Sequence, residues 1–201
     1  MKQNIKVFYW SPSLVSIATN YAVINSAYSL NKYSNNYETR LINFFGEFER
    51  FREDLDNKKI KVIDYFKHSI FNYFPRHGKI KSRLSFIIIF LMSFFPLKNL
   101  IKKEEPKYLI IHLITSLPLI LLIFFNFKTK FILRISGFPK MNFIRKYIWK
   151  LALKKIHLVT CPTINTMNYI KKMNIVKPEK LKVLYDPILN IKEISKKKMK
   201  T

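Results

Sequence analysis

Glycine, cysteine and acidic residues are all scarce in this chain, and each shortage removes a class of chemistry. Its three glycines, Gly46, Gly78 and Gly137, form neither G-x-G-x-x-G nor G-x-x-x-x-G-K. The sequence signatures of a dinucleotide cradle and a P-loop are therefore missing. Cys161 stands alone, which excludes an intrachain disulfide and a cysteine-based zinc site. His68, His77, His112 and His157 have no metal-ligand spacing and no acid cluster beside them, so no metal is expected. No H-E-x-x-H or G-x-S-x-G occurs. Between Pro106 and Pro178 there is no Asp or Glu at all, so that half offers no paired carboxylates for hydrolysis.

What is present is apolar bulk and positive charge. Hydrophobic residues make up 49% of the 201, too many for a disordered chain and enough for one domain with a sizeable core. The formal net charge of +25 favours anionic partners such as phosphate groups or acidic lipids. Coding bias toward Lys, Asn, Ile and Phe accounts for part of it, but not for the acid-free stretch.

Short apolar runs alternate with helical periodicity along the chain. Ile5 to Trp10 suits a buried parallel strand and is broken by Ser11-Pro12-Ser13. It lacks the form of a signal peptide. A helix follows over Val15 to Leu30, then strands at Thr39 to Phe45 and Ile60 to Phe66, with a charged segment, Glu47 to Lys59, between them. Arg76, Lys79, Lys81 and Arg83 precede an uncharged run from Leu84 to Leu97. That run is short for a membrane span, and its basic flanks suit either an interfacial helix on an anionic bilayer or a core helix. Pro106 ends it. A strand at Tyr108 to Leu113, an apolar helix over Ile114 to Phe127 and a strand at Lys130 to Ile135 come next. Asn142 is placed to cap a helix over Phe143 to Ile156, with Ile144, Ile148 and Leu151 on one side and Lys146, Lys150 and Lys154 on another. His157 to Cys161, a helix capped by Thr163 or Asn165, and Leu181 to Tyr185 complete the pattern. About seven strands with intervening helices call for a single Rossmann-like α/β domain over residues 1–187, a mostly parallel sheet covered on both faces. Residues 188–201 read as a lysine-rich linker or tail.

Open α/β sheets bind ligands at the carboxyl ends of their strands. The polar residues expected there are Ser11 and Ser13 after the first strand, His112 after the fourth, and Arg134, Ser136, Gly137 and Lys140 around the fifth. Each residue type also has a structural use: a serine caps a turn, and a histidine satisfies a core. Arg134 interrupts an apolar strand, and a buried guanidinium needs a partner, either a ligand phosphate or a distant acid.

The ordered set of an SPS-containing turn after the first strand, then LIIHLITSLPL, FILRISGFPK, HLVTCPT and KLKVLYDP resembles the N-terminal domain of the retaining family-4 glycosyltransferases. Those enzymes face two Rossmann-like domains across a cleft, the GT-B arrangement. The resemblance implies that His112 contacts the transferred sugar, that Ser136 and Gly137 border the cleft, and that Ser11 to Ser13 lie near the donor diphosphate and the acceptor. This loop is usually glycine-rich in the family and has no glycine here. The nucleotide-sugar site of the family lies mostly in a second domain with a Glu-x7-Glu type motif, so this chain is expected to be the acceptor-side half, inactive alone. No cofactor is implied beyond a nucleotide-sugar co-substrate. The implied setting is surface polysaccharide synthesis on a lipid-linked or saccharide acceptor, in the cytoplasm at the inner face of the membrane, with Arg76, Lys79, Lys81, Arg83, Lys146 and Lys150 on anionic lipid.

Two other readings stay open on the sequence. Tyr108 to Phe127 has the length of an uncharged membrane span. A nucleic-acid-binding module would use the same cations, but no recognised nucleic-acid motif is present, and no nucleic acid is expected.

Overall fold

The computed structural model describes residues 4–12, 18–66, 79–113 and 115–185, with side chains from residue 84 onward in the third stretch. Seven strands form one sheet: β1 (Ile5–Trp10), β2 (Tyr37–Asn43), β3 (Lys61–Asp64), β4 (Tyr108–Ile111), β5 (Lys130–Arg134), β6 (Leu158–Cys161) and β7 (Leu181–Val183). Every pairing is parallel, in the order β3-β2-β1-β4-β5-β6-β7. Six helices lie among the described residues: α1 (Ala18–Tyr33), α2 (Arg52–Asn57), α3 (Lys79–Glu104), α4 (Ser116–Phe124), α5 (Phe143–Lys155) and α6 (Ile164–Lys172). The chain is thus one α/β domain with the doubly wound strand order, which reverses direction between β1 and β4.

Alternate side chains of the strands feed two cores, as a pleated sheet requires. Val7, Tyr9 and Leu41 join Val23, Ile24 and Ala27 of α1 and Leu55 of α2 on one face. Phe8, Trp10, Ile42, Ile111, Leu133 and Val159 meet α3, α4, α5 and α6 on the other. Helices α5 and α6 begin where their caps demand. The Asn142 side chain accepts from the Arg145 N–H, and that of Thr163 from the Thr166 N–H.

Three expectations need correction. Tyr108 to Phe127 is no span: its start is a central strand paired on both sides, and only nine residues of its remainder are helical. The run Leu84 to Leu97 belongs to a helix of 26 residues, because the chain stays helical through Pro96 to Glu104. Among the described residues α3 is long and apolar enough to cross a bilayer. Its buried stripe, Ile89, Leu97 and Ile101, belongs to the main core, and spanning would strip it away. Finally, α5 buries Trp149, Ala152 and Leu153, whereas Ile144 of the expected apolar side is exposed. That helix carries two apolar stripes, and the bulkier one won the core.

At the amino edge of the sheet, Glu104 ends α3 by receiving Lys6 Nζ at 3.0 Å and Arg40 at 3.4 Å. Glu38 receives Arg40 and Lys61, and Glu105 receives Lys128. Among the described residues, most acids are in ion pairs.

Candidate functional site

One row of residues crosses the carboxyl edge at a single level. Trp10 pairs with Ile111 and Ile111 with Leu133, so the next positions, Ser11, His112 and Arg134, stand side by side, and Arg134 pairs with Thr160. On the other side the register runs through Asn43 to Asp64. The backbone N–H of His112 donates to the Trp10 carbonyl at 2.9 Å, which fixes the β1–β4 junction at the switch point.

The two parts of this row differ in how their polar groups are satisfied. Asn43 Nδ2 donates to Asp64 Oδ1 at 2.6 Å and to Glu49 Oε1 at 3.0 Å, while its Oδ1 accepts from the Phe48 N–H at 3.2 Å. Arg52 then bridges Glu49 and Asp64. The guanidinium is raised chiefly by its bond to Glu49, and the Glu49 carboxyl is held below its usual range chiefly by the same bond.

At β1 and β4 the row is not closed in that way. Ser11 is fully buried, and its Oγ has no hydrogen-bond partner among the described residues. His112 is 7% exposed, with its ring 6.2 Å from that of Tyr9. Burial pushes its pKa down to about 3, and the Arg134 charge adds to the shift. The imidazole is therefore neutral at physiological pH, able to donate or accept a hydrogen bond without carrying charge. Arg134, also buried, donates through Nη1 to the Leu184 carbonyl. This bond ties the end of β5 to the backbone just beyond β7.

Glu47 was missed by the sequence reading. It follows β2, at the same edge, and is 4% exposed. Its Oε2 accepts from the Phe45 N–H at 2.9 Å, while Oε1 has no partner among the described residues. Burial raises its pKa to about 7 against the pull of backbone N–H groups. Gly46, at φ 91°, makes the turn that only glycine takes without strain. The one sequence signal was an acid just past the run TRLINFF, separated from it by Gly46.

Ser136, Gly137 and Lys140 follow β5 at the rim and are all exposed. A Cβ at Gly137 would meet nothing within 4 Å, and no positive φ demands glycine there. Lys146 and Lys150 are exposed on α5. Ser13 and Arg76 lie outside the described residues, as do the side chains of Lys79, Lys81 and Arg83 and the expected tail. No group of three or more His, Cys, Asp or Glu able to hold a metal occurs among the described residues.

No protein-family model and no curated protein matches the chain. Solved structures do. A Listeria monocytogenes protein described as a UDP-N-acetylglucosamine 2-epimerase superposes with a TM-score of 0.62 at 14% identity, over 89% of this chain and 44% of its own. A glycosyltransferase from Rickettsia africae matches with a TM-score of 0.59 at 16% identity, over 98% of this chain and 49% of its own. The UDP-GlcNAc 2-epimerase from Neisseria meningitidis, solved with UDP-GlcNAc, gives 0.58 at 12% identity, over 98% and 50%. This chain spans about half the length of each. At such identities the likeness is one of fold: the domain matches half of a GT-B fold.

Proposed function

We propose that this domain is the acceptor-side wall of a glycosyltransferase. It would act in the transfer of a sugar from a nucleotide-sugar donor to a lipid-linked or polysaccharide acceptor. The observation that carries the reading is the buried, neutral His112 beside Ser11, at the switch point of a sheet matching half of a GT-B fold. A neutral imidazole suits hydrogen bonding to a sugar hydroxyl, where a cation would be badly placed beside the oxocarbenium-like charge that develops on the sugar. Ser11 supplies a hydroxyl, and Ser136 and Lys140 reach the rim, where a second domain would close the cleft. That second Rossmann-like domain would hold most of the donor, whether on the same polypeptide or a separate one. Retention of configuration, as in family 4, belongs to the same reading.

The membrane setting is supported by α3. Leu84, Ile87, Leu91 and Phe95 follow one helical face and are all exposed, with Lys98, Lys102 and Lys103 beyond them. Contiguous apolar surface rimmed by lysine suits peripheral docking on an anionic bilayer. Each such cation contributes about 1 kcal/mol near an anionic surface.

The test is a transfer assay with labelled nucleotide-sugars and a membrane lipid extract. This chain alone should give no product, and addition of a cognate second domain should give donor-dependent product in the lipid phase. Transfer by the chain alone would contradict the reading. Interconversion of the donor sugar without any acceptor would favour the epimerase chemistry named for two of the structural neighbours.

A further inference from the structure

We propose that a groove between α3, α4 and α5 takes a hydrocarbon chain of an anionic bilayer lipid, with the headgroup toward the carboxyl edge of the sheet. The inference rests on the membrane setting proposed above and assigns the lipid a place. The groove has a volume of about 460 Å³ and is lined by Phe86, Leu119, Ile120, Ile148 and Trp149. That size and lining are those of a small-molecule site.

Its polar groups lie at one end. The helices run antiparallel to the strands, so their first turns lie at the carboxyl edge. Ser116 opens α4, and Asn142 and Arg145 open α5. The Ser116 Oγ is buried without a hydrogen-bond partner among the described residues. Arg145 is exposed, lies 5.4 Å over the Trp149 ring and donates to the Lys140 carbonyl at 3.0 Å. Leu119, Ile120, Ile148 and Trp149 lie about a turn further in. An apolar slot with a cationic mouth fits an amphiphile with an anionic head.

Charge decides between occupants. Residues 79–155 contain Glu104 and Glu105 as their only acids, and both are ion-paired at the opposite edge. With +25 on the chain, a second copy seated on this face would bring like charges together. An anionic lipid brings the opposite charge. The exposed residues beside the mouth, Phe143, Ile144 and Tyr147, would enter the interface together with Leu91 and Phe95 of α3.

The protein's own tryptophans report on this. Trp149 lines the groove, while Trp10 is fully buried in the core and serves as an unquenched reference. The full chain is mixed with phosphatidylglycerol-containing vesicles whose acyl chains are brominated at mid-chain, and with the same vesicles unbrominated. The expected result is flotation with both and loss of roughly half the emission only with bromine, a loss reversed by Ile144→Asp at the mouth. Flotation without quenching would overturn the groove assignment, as would the absence of flotation. Equal quenching on neutral phosphatidylcholine vesicles would overturn the headgroup part. Should Ile144→Asp fail to fold, Ile120→Phe, which narrows the groove without adding a tryptophan, should abolish bromine quenching of Trp149 but not flotation. Dimerisation that shields Trp149 from lipid would assign the face to a second copy. No donor or turnover enters this readout, so failure of sugar transfer with quenching intact would sink only the function proposed above.

Discussion

The carboxyl edge of the sheet contains two polar groupings at the same level along the strands, one partly exposed and one buried. At β2 and β3, Asn43 uses its amide on both Asp64 and Glu49, and Arg52 closes the ring. At β1 and β4, Ser11 has a buried hydroxyl without a partner among the described residues, and His112 is held neutral by burial. Buried polar groups are nearly always satisfied, because leaving one unpaired costs about 1–3 kcal/mol. The first grouping behaves as structure. The second tolerates a cost that folding alone does not require, which is where a ligand would make the missing bonds.

The largest expected effects are on the pH dependence of stability. The folded pKa of His112 lies below its unfolded value of 6.5, so its contribution is lost as pH falls from about 6.5 toward 3. Glu47 has the opposite sign: its folded pKa is raised from 4.5 to about 7, so stability it provides in acid is lost as pH rises through that window. Each slope approaches about 1.4 kcal/mol per pH unit for one proton. In denaturant melts, the difference between wild type and His112→Asn should rise with pH up to about 6.5. The difference for Glu47→Gln should fall with pH from about 4.5 to 7. Parallel curves would mean that neither group is buried as described.

Next in size, Asn43→Leu should cost roughly 2–4 kcal/mol, since it strands the Phe48 N–H and unties two carboxylates. Ser11→Ala, at the same level of the sheet, should change stability by less than about 0.5 kcal/mol, since no bond is broken. A melting-temperature loss for Ser11→Ala as large as that for Asn43→Leu would erase the contrast. Gly137→Ala should be the mildest, within about 0.5 kcal/mol, because its Cβ meets open space. If the same change lowers turnover of the two-domain transferase proposed above, the need for glycine lies in the cleft and not in this fold.

Much of this was legible in the sequence. Apolar runs such as KVFYW and FILR read as buried strands, their alternation with helices called for a parallel sheet, and the cap at Asn142 was readable from residue type, while the choice between Thr163 and Asn165 was made only by the structure, in favour of Thr163. What escaped depends on tertiary contact. Helix α3 is apolar all round, so its periodicity could not tell the side holding Ile89 and Leu97 from the side exposing Ile87 and Leu91. Glu47 lay in a charged segment, and only packing buries it. The carbonyl that receives Arg134 belongs to Leu184, 50 residues away, beyond the reach of any local pattern.

The central claim is that His112 meets the sugar at the switch point. Its most direct test is the initial rate of transfer by the complete two-domain enzyme, comparing wild type with His112→Ala and His112→Asn after melting curves establish that each variant is folded. Loss of a well-placed hydrogen-bonding side chain at the reacting sugar should lower turnover by about 100-fold or more in the alanine variant, with partial recovery in asparagine. Unchanged turnover in both would return His112 to the core as a packing residue and contradict the account.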